Sequence, residues 1–282
     1  MSIKKQHLAP YAAVDPTNFK DLLGKSVLIT GGGYGIGASI AKSFAAGGAA
    51  EIILVGRNEA KLKATSEELK IFKNTKVTFY KVDITSKNDV KHLFDSLKEP
   101  VQYLINNAGF MPAPANFVDV DLEDYWEAFT VNVFGTVLVT QAFLRHRQAF
   151  KPDTPAVVVT LNTIGAYSFR IGNHSGYGAS KAALARWSES IAVDVPQTVA
   201  RFISVHPGFV HTAMGAKSGL EGAFPATDIK LAADFVAWTT TEQAAFLSGR
   251  FAWVNWDVDE LVAKKDEIVQ KDLFRTAISD ST

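Results

Sequence analysis

Short apolar runs rich in β-branched and aromatic residues alternate with helical patterns along most of the chain, and this alternation constrains the fold more than any other feature. The runs are "KSVLIT" (25–30), "EIILVG" (51–56), "KVTFYKVD" (76–83), "VQYLIN" (101–106), "AVVVTLN" (156–162), "RFISVHP" (201–207) and "GRFAWVN" (249–255). Each is short and nearly continuous, the pattern of a strand buried on both faces. Helical patterns cover roughly 36–47, 59–72, 86–98, 122–149, 177–195, 229–240 and 257–272. Strands that alternate with helices build an α/β domain: a doubly wound parallel sheet of about seven strands, right-handed crossovers, helices on both faces. No linker-like stretch divides the 282 residues. One domain over 24–282 is expected, preceded by a polar arm, 1–23, lying on the fold.

Charge excludes several function classes. Lys+Arg and Asp+Glu both number 29, so no global field draws the chain to nucleic acid or to an anionic membrane. The absence of cysteine removes disulfides, thiolate metal sites and a cysteine nucleophile, and it fits a reducing compartment. The six histidines show no close ligand spacing, so no metal is expected. No secretory signal opens the chain, and no segment reaches the ~18 apolar residues of a membrane span. A cytoplasmic location is expected.

After the first strand comes "TGGGYGIGAS", residues 30–39, with glycine at 31, 32, 33, 35 and 37. Glycine there admits a sharp turn and close approach to the backbone. Between a strand and a helix, this is the context a dinucleotide fingerprint requires, with a pyrophosphate seated on the helix N-terminus. About 20 residues further on, the end of the second strand meets the adenosine ribose, where an acid suits NAD and an arginine suits the 2′-phosphate of NADP. The sequence reads "LVGRNEA", with Arg57 at that position and Glu59 two residues late. NADP(H) is the expected cofactor, with NAD(H) the alternative.

In "YGASK", Tyr177 and Lys181 stand four residues apart on one helical face. A phenol of pKa about 10 is a poor base at neutral pH. A neighbouring ammonium and an oxidised nicotinamide favour the phenolate and bring the pKa down. Tyr177 then exchanges a proton with an alcohol or ketone while hydride moves.

These stretches together resemble the short-chain dehydrogenases/reductases with a single-domain Rossmann fold. "TGGGYGIG" matches the family's TGxxxGIG, and "NNAG" (106–109) its motif after the fourth strand. "VNVFG" (131–135) contains the helix asparagine, Asn132, "YGASK" (177–181) the tyrosine and lysine, and "PGFVHT" (207–212) the PGxxxT motif. The tail "AAFLSGRFAWVNWDVDEL" and the arm before Gly24 resemble a fungal branch. The resemblance implies that Tyr177 is the acid/base. Lys181 binds the nicotinamide ribose and lowers the tyrosine pKa, and Asn132 holds a water behind the lysine. It further implies cofactor contacts from Gly31, Gly33, Tyr34, Gly35, Ile36, Gly37, Asp83 at the adenine, Asn107 at the ribose side, Ala108, Gly109, Pro207, Gly208, Val210 and Thr212. A homodimer or homotetramer through the 122–149 and 177–195 helices is implied as well.

Two positions depart from the family. Thr163, in "TLNTIGAY", stands where serine is usual; its hydroxyl can make the same hydrogen bond, with Ser168 and Ser175 as the alternatives. Tyr34 occupies a place where NADP-preferring members often carry a base. Residues 209–228 are the expected substrate loop. With Phe110, Met111, Tyr167, Phe169, Phe209 and Phe224 nearby, the pocket suits a bulky apolar ketone or alcohol. His174 and His211 are expected to line it without proton transfer, and Trp253 and Trp256 to belong to the core or an interface. A non-redox lyase, isomerase or cyclase and a noncatalytic NADP-binding sensor are the other readings.

Overall fold

The computed structural model describes residues 3–168 and 170–278. Among the described residues seven strands are present: β1 Ser26–Thr30, β2 Glu51–Gly56, β3 Lys76–Lys81, β4 Tyr103–Asn106, β5 Ala156–Leu161, β6 Ala200–His206 and β7 Arg250–Trp253. They form one sheet in the order β3-β2-β1-β4-β5-β6-β7, and every pairing is parallel. The longer helices are α1 Gly35–Ala46, α2 Glu59–Leu69, α3 Lys87–Ser96, α4 Leu122–Phe129, α5 Thr136–Phe150 and α6 Ser175–Asp194. A short α7, Ala213–Lys217, precedes α8 Ile229–Thr239, α9 Val258–Ala263 and α10 Lys265–Gln270.

The apolar runs are continuous because each strand feeds two cores. Val27, Ile29, Ile52 and Leu54 pack with Phe44 of α1 and with Phe235 and Trp238 of α8. Their neighbours Leu28, Ile53 and Val55 point the other way, to Leu93 of α3 and Val139 and Phe143 of α5. Strand period two thus distributes one run over both faces. β3 differs from the expected fully buried strand: it is an edge, its Lys76 and Lys81 are exposed and the residues between are half-buried. Terminal lysines suit an edge, where they oppose pairing with another chain.

The arm is more than polar. Ile3, Val14, Phe19 and Leu22 are buried in the α1/α8 core. Its polar residues tie it down: the backbone N–H groups of Lys4 and Lys5 donate to the Glu260 carboxylate, His7 pairs with Asp257 at 2.8 Å, and Asn255 Nδ2 donates to the His7 carbonyl at 2.6 Å.

The expected helix over 122–149 is helical throughout but carries a π-type segment, Thr130–Gly135, between α4 and α5. Such wide turns recur at functional sites, and this one contains Asn132. The stretch Leu122–Phe150 is the one described helical stretch long and apolar enough to cross a membrane by length and composition, although its most apolar window is 44% buried. It packs on α3 and α6 as a core helix does. The sheet order reverses at β1/β4, so the crevice outside their C-terminal ends is where a ligand of such a sheet binds.

Candidate active site

The glycine-rich turn leaves β1 with Gly31 at φ 66° and Gly35 at φ 58°, a region that disfavours other residues. A Cβ on Gly37 would sit 2.3 Å from the Gly31 carbonyl oxygen and 2.6 Å from Asn107 Nδ2. On Gly33 it would press the backbone of α2, 3.0 Å from Leu62 N. Tyr34 at the N-cap of α1 offers no side-chain hydrogen bond. The first N–H groups of α1 are therefore left for an anion. The turn has the form of a pyrophosphate cradle: a dinucleotide bound here would meet the N–H groups of Gly35, Ile36 and Gly37.

Asn107 also has a structural place within the turn. Its Nδ2 donates to the carbonyls of Thr30 and Gly31 at 2.9 and 3.1 Å. Thr30 Oγ1 in turn accepts from the N–H groups of Asn107 and Ala108, both at 3.1 Å. The amide fastens the β4 loop to the glycine turn. The role of Thr30 goes beyond opening the motif.

At the adenosine end, Arg57 is exposed and makes no hydrogen bond or ion pair among the described residues. Lys61, on the first turn of α2, places Nζ 4.2 Å from the centroid of the Tyr34 ring. The position that lacks the family's base thus has a cation over it, a contact invisible in a linear reading. Asp83 is half-buried, and its Oδ1 accepts from Thr85 N and Oγ1 at 2.9 and 2.7 Å. That turn leaves Oδ2 for a ligand.

The chemistry-bearing groups meet beyond the ends of β4 and β5. Lys181, 4% exposed, lies 5.9 Å from the centroid of the Tyr177 ring and donates from Nζ to the Leu161 carbonyl at 2.8 Å. Burial lowers its pKa to about 8 and raises the Tyr177 phenol to about 12. The sequence-based expectation of a depressed phenol therefore needs a cationic ligand, because desolvation outweighs the lysine within the protein alone. Asn132 is fully buried. Its Oδ1 accepts from Phe110 N at 2.7 Å, and Nδ2 donates to the Phe110 carbonyl and to Ser180 Oγ, both at 2.9 Å. Its amide locks the β4 loop to α6. A Cβ on Gly109 would sit 3.3 Å from Asn132 Oδ1 and 3.7 Å from Lys181 Nζ, so a side chain there would crowd that corner.

Thr163 and Tyr177 line one cavity of about 710 Å³. Thr163 Oγ1 accepts from Gly165 N at 3.2 Å, so its proton remains to be donated. Ser175 lines the cavity too, whereas Ser168 is exposed and away from its wall. Pro207, Gly208, Val210 and Thr212 form the opposite side. Gly208, at φ 75°, has no room for a Cβ: Thr227 Oγ1 would be 2.2 Å away. Thr212 Oγ1 caps α7 through Gly215 N at 3.1 Å, and its Cγ2 would lie 3.8 Å from a Cβ on Gly35, so the two cofactor motifs face each other.

Met111, Tyr167, Phe209 and Phe224 line the cavity as expected. Phe110 instead lies 4.9 Å from Lys217 Nζ, ring centroid to nitrogen, and Phe169 lies outside the described residues. His174 bonds Gly172 O and Ser218 O at 2.6 and 3.0 Å, which joins the wall before α6 to the α7 loop; His211 is exposed. Trp253 is on the cavity wall rather than only in the core, and Gln6 and Leu8 of the arm are there as well. The sequence offered no signal for the arm, since contact across about 200 residues has no local pattern. Among the described residues no group of three or more His, Asp or Glu could hold a metal.

Comparison with known proteins agrees with this geometry. Residues 25–221 match the short chain dehydrogenase family. A short chain dehydrogenase/reductase of Aspergillus novofumigatus, nsrO, is 30% identical over 263 residues, covering 90% of this chain and 88% of the relative. Among solved structures, a short chain dehydrogenase from Salmonella enterica serovar Typhi superposes with a TM-score of 0.77 at 22% identity, covering 84% of this chain and 98% of that one. The 3-ketoacyl-(acyl-carrier-protein) reductase from Brucella melitensis, solved with NADH, gives a TM-score of 0.74 at 26% identity, covering 83% and 97%. The chain belongs to the short-chain dehydrogenase/reductase family, in a fungal-like branch, and is an oxidoreductase by that membership.

Proposed function

We propose that the chain interconverts a bulky apolar ketone and its secondary alcohol with NADP(H), Tyr177 acting as acid/base. The observation that carries the reading is the convergence of Tyr177, Lys181 and Thr163 on one cavity beside the uncapped N-terminus of α1. The dinucleotide, when bound, supplies or accepts the hydride. Thr163 and Tyr177 both donate to the substrate oxygen, which fixes the carbonyl and neutralises developing charge. Tyr177 gives up its proton in reduction and regains it in oxidation. Lys181, held by Leu161 and with a pKa near 8, stands close enough to neutrality to exchange that proton onward. Asn132 keeps the Phe110 loop and α6 in register around it.

Arg57 and the Lys61–Tyr34 pair support NADP(H), since a 2′-phosphate favours charge-assisted donors. The NADH in the Brucella reductase structure keeps NAD(H) as the second cofactor reading. Two copies of the chain joined through α4 to α6 are supported by apolar side chains left open there: Leu122, Trp126 (64% exposed), Phe134 and Val193. The test is a panel of bulky ketones and alcohols offered with each dinucleotide, read by near-ultraviolet absorbance of the reduced nicotinamide. Turnover of apolar ketones with NADPH is expected. No turnover of any carbonyl or alcohol with either cofactor contradicts the reading.

A further inference from the structure

The far wall of the cavity carries a group that the chemistry above does not use. His206 ends β6 and lines the cavity. Its Nδ1 is buried without a hydrogen-bond partner, and so is Nε1 of Trp253, at the end of β7. The two residues are register partners across the strand pair, with ring centroids 5.5 Å apart. Two orphaned polar atoms on one wall are an exception that calls for a cause.

Protonation follows from the burial. An orphaned buried N–H is rarer than an under-satisfied acceptor, so Nδ1 holds the lone pair and Nε2 the proton. Nε2 is not among the buried unpartnered atoms and makes no hydrogen bond among the described residues. The cavity is what remains for it to face. Burial also keeps the ring neutral, with its pKa pushed down to about 3.

The rest of the wall restricts what that N–H can meet. The Tyr167 hydroxyl is engaged with Ser204 at 3.1 Å, and the one N–H of a neutral His174 ring is taken by the Gly172 or the Ser218 carbonyl. Tyr177 belongs to the reacting end, and Arg170 is exposed at the rim. No Asp, Glu or Lys lines the cavity among the described residues. Leu8, Phe209 and Phe224 add apolar surface. A cavity of about 710 Å³ is large for a nicotinamide ring and a small carbonyl alone; pockets of ~300–1,000 Å³ take drug-sized ligands.

We infer that His206 is a specificity-determining donor, and that the substrate carries a second, uncharged oxygen acceptor (carbonyl, ether or hydroxyl) remote from the reacting carbon. This rests on the ketone reading above and extends it to a class: bulky, apolar, neutral ketones or alcohols oxygenated at a second site. The hydrogen bond is between neutral partners, so it selects by about 3–12-fold rather than by orders of magnitude.

The test uses a fused bicyclic aryl ketone, its methoxy derivatives at each position of the distal ring, and calorimetric titration in the presence of either oxidised dinucleotide. The wild type is expected to bind the best methoxy ketone about 3–12-fold more tightly than the parent. That ratio is expected to stay flat from about pH 5.5 to pH 8, because the ring does not titrate there. His206→Phe keeps a planar ring and removes the donor; its ratio is expected near one. His206→Gln restores an N–H and with it part of the preference. A wild type that prefers none of the methoxy ketones overturns the assignment without any variant having to fold. So does a preference that survives His206→Phe. Turnover is scored separately: a preserved binding preference with no turnover removes the redox reading and leaves His206 in place.

Discussion

Replacing Lys181 by methionine is expected to stabilise the protein while removing its activity. The ammonium is 4% exposed, and burial takes its pKa from 10.5 to about 8. That fall corresponds to about 3 kcal/mol held against the charged form. Methionine has a similar length, no charge and a flexible thioether. It loses the 2.8 Å bond to Leu161 O, and an unmet buried carbonyl costs ~1–3 kcal/mol. The net gain at pH 7 is about 0–2 kcal/mol, a rise in Tm of up to roughly 8 °C for a chain of this size. The pH dependence carries a sign that distinguishes this cause from better packing. Between about pH 8 and 10.5 the unfolded lysine holds a proton that the folded one has released, so wild-type stability rises with pH there. The advantage of Lys181→Met is therefore full below about pH 8 and fades by about pH 10.5. Calorimetric melting of both proteins across that range is the assay. A variant less stable than wild type at pH 7, or an advantage that does not change with pH, refutes the reasoning.

Other outcomes follow from the same geometry. Thr163→Ala and Thr163→Val are each expected to cut kcat/KM by ~10²–10³-fold, the cost of one transition-state donor, whereas Thr163→Ser stays within roughly tenfold; an active valine variant would remove the hydroxyl from the account and point to Ser175. Arg57→Ala is expected to weaken NADPH binding by about 10–150-fold and to leave NADH nearly unchanged; equal losses in titrations of both cofactors would take selectivity away from Arg57. Asn132→Leu removes the partner of the part-buried N–H and carbonyl of Phe110, at up to ~1–3 kcal/mol each, and is expected to lower the urea midpoint without a change in m.

Sequence patterns located all seven strands to within about two residues, because a strand buried on both faces cannot hide its composition and the half-buried edge β3 still reads as a strand through Val77, Thr78, Phe79 and Tyr80. The π-type segment at Asn132 was not legible: a wide turn depends on which distant groups the side chain binds, here Phe110 and Ser180. Lys265–Gln270 and Val258–Ala263 read as one helix and are two, broken at Lys264, since local propensity does not register a one-residue interruption. Motif spacing brought Thr163, Tyr177 and Lys181 to the right strand end and helix, but not the sign of the protein's own effect on Tyr177, which depends on burial. The contributions of Lys61, His206, Trp253 and the arm residues Gln6 and Leu8 come from packing between elements far apart in the chain.

The central claim is that Tyr177 transfers the proton that accompanies hydride transfer, and Tyr177→Phe tests it most directly. The ring and its packing remain while the hydroxyl is lost. With a ketone that the wild type reduces, kcat is expected to fall by ~10²–10⁴-fold, and the dissociation constant of the dinucleotide, titrated on the same preparations, to stay within about threefold. Wild-type turnover by the phenylalanine variant would contradict the account.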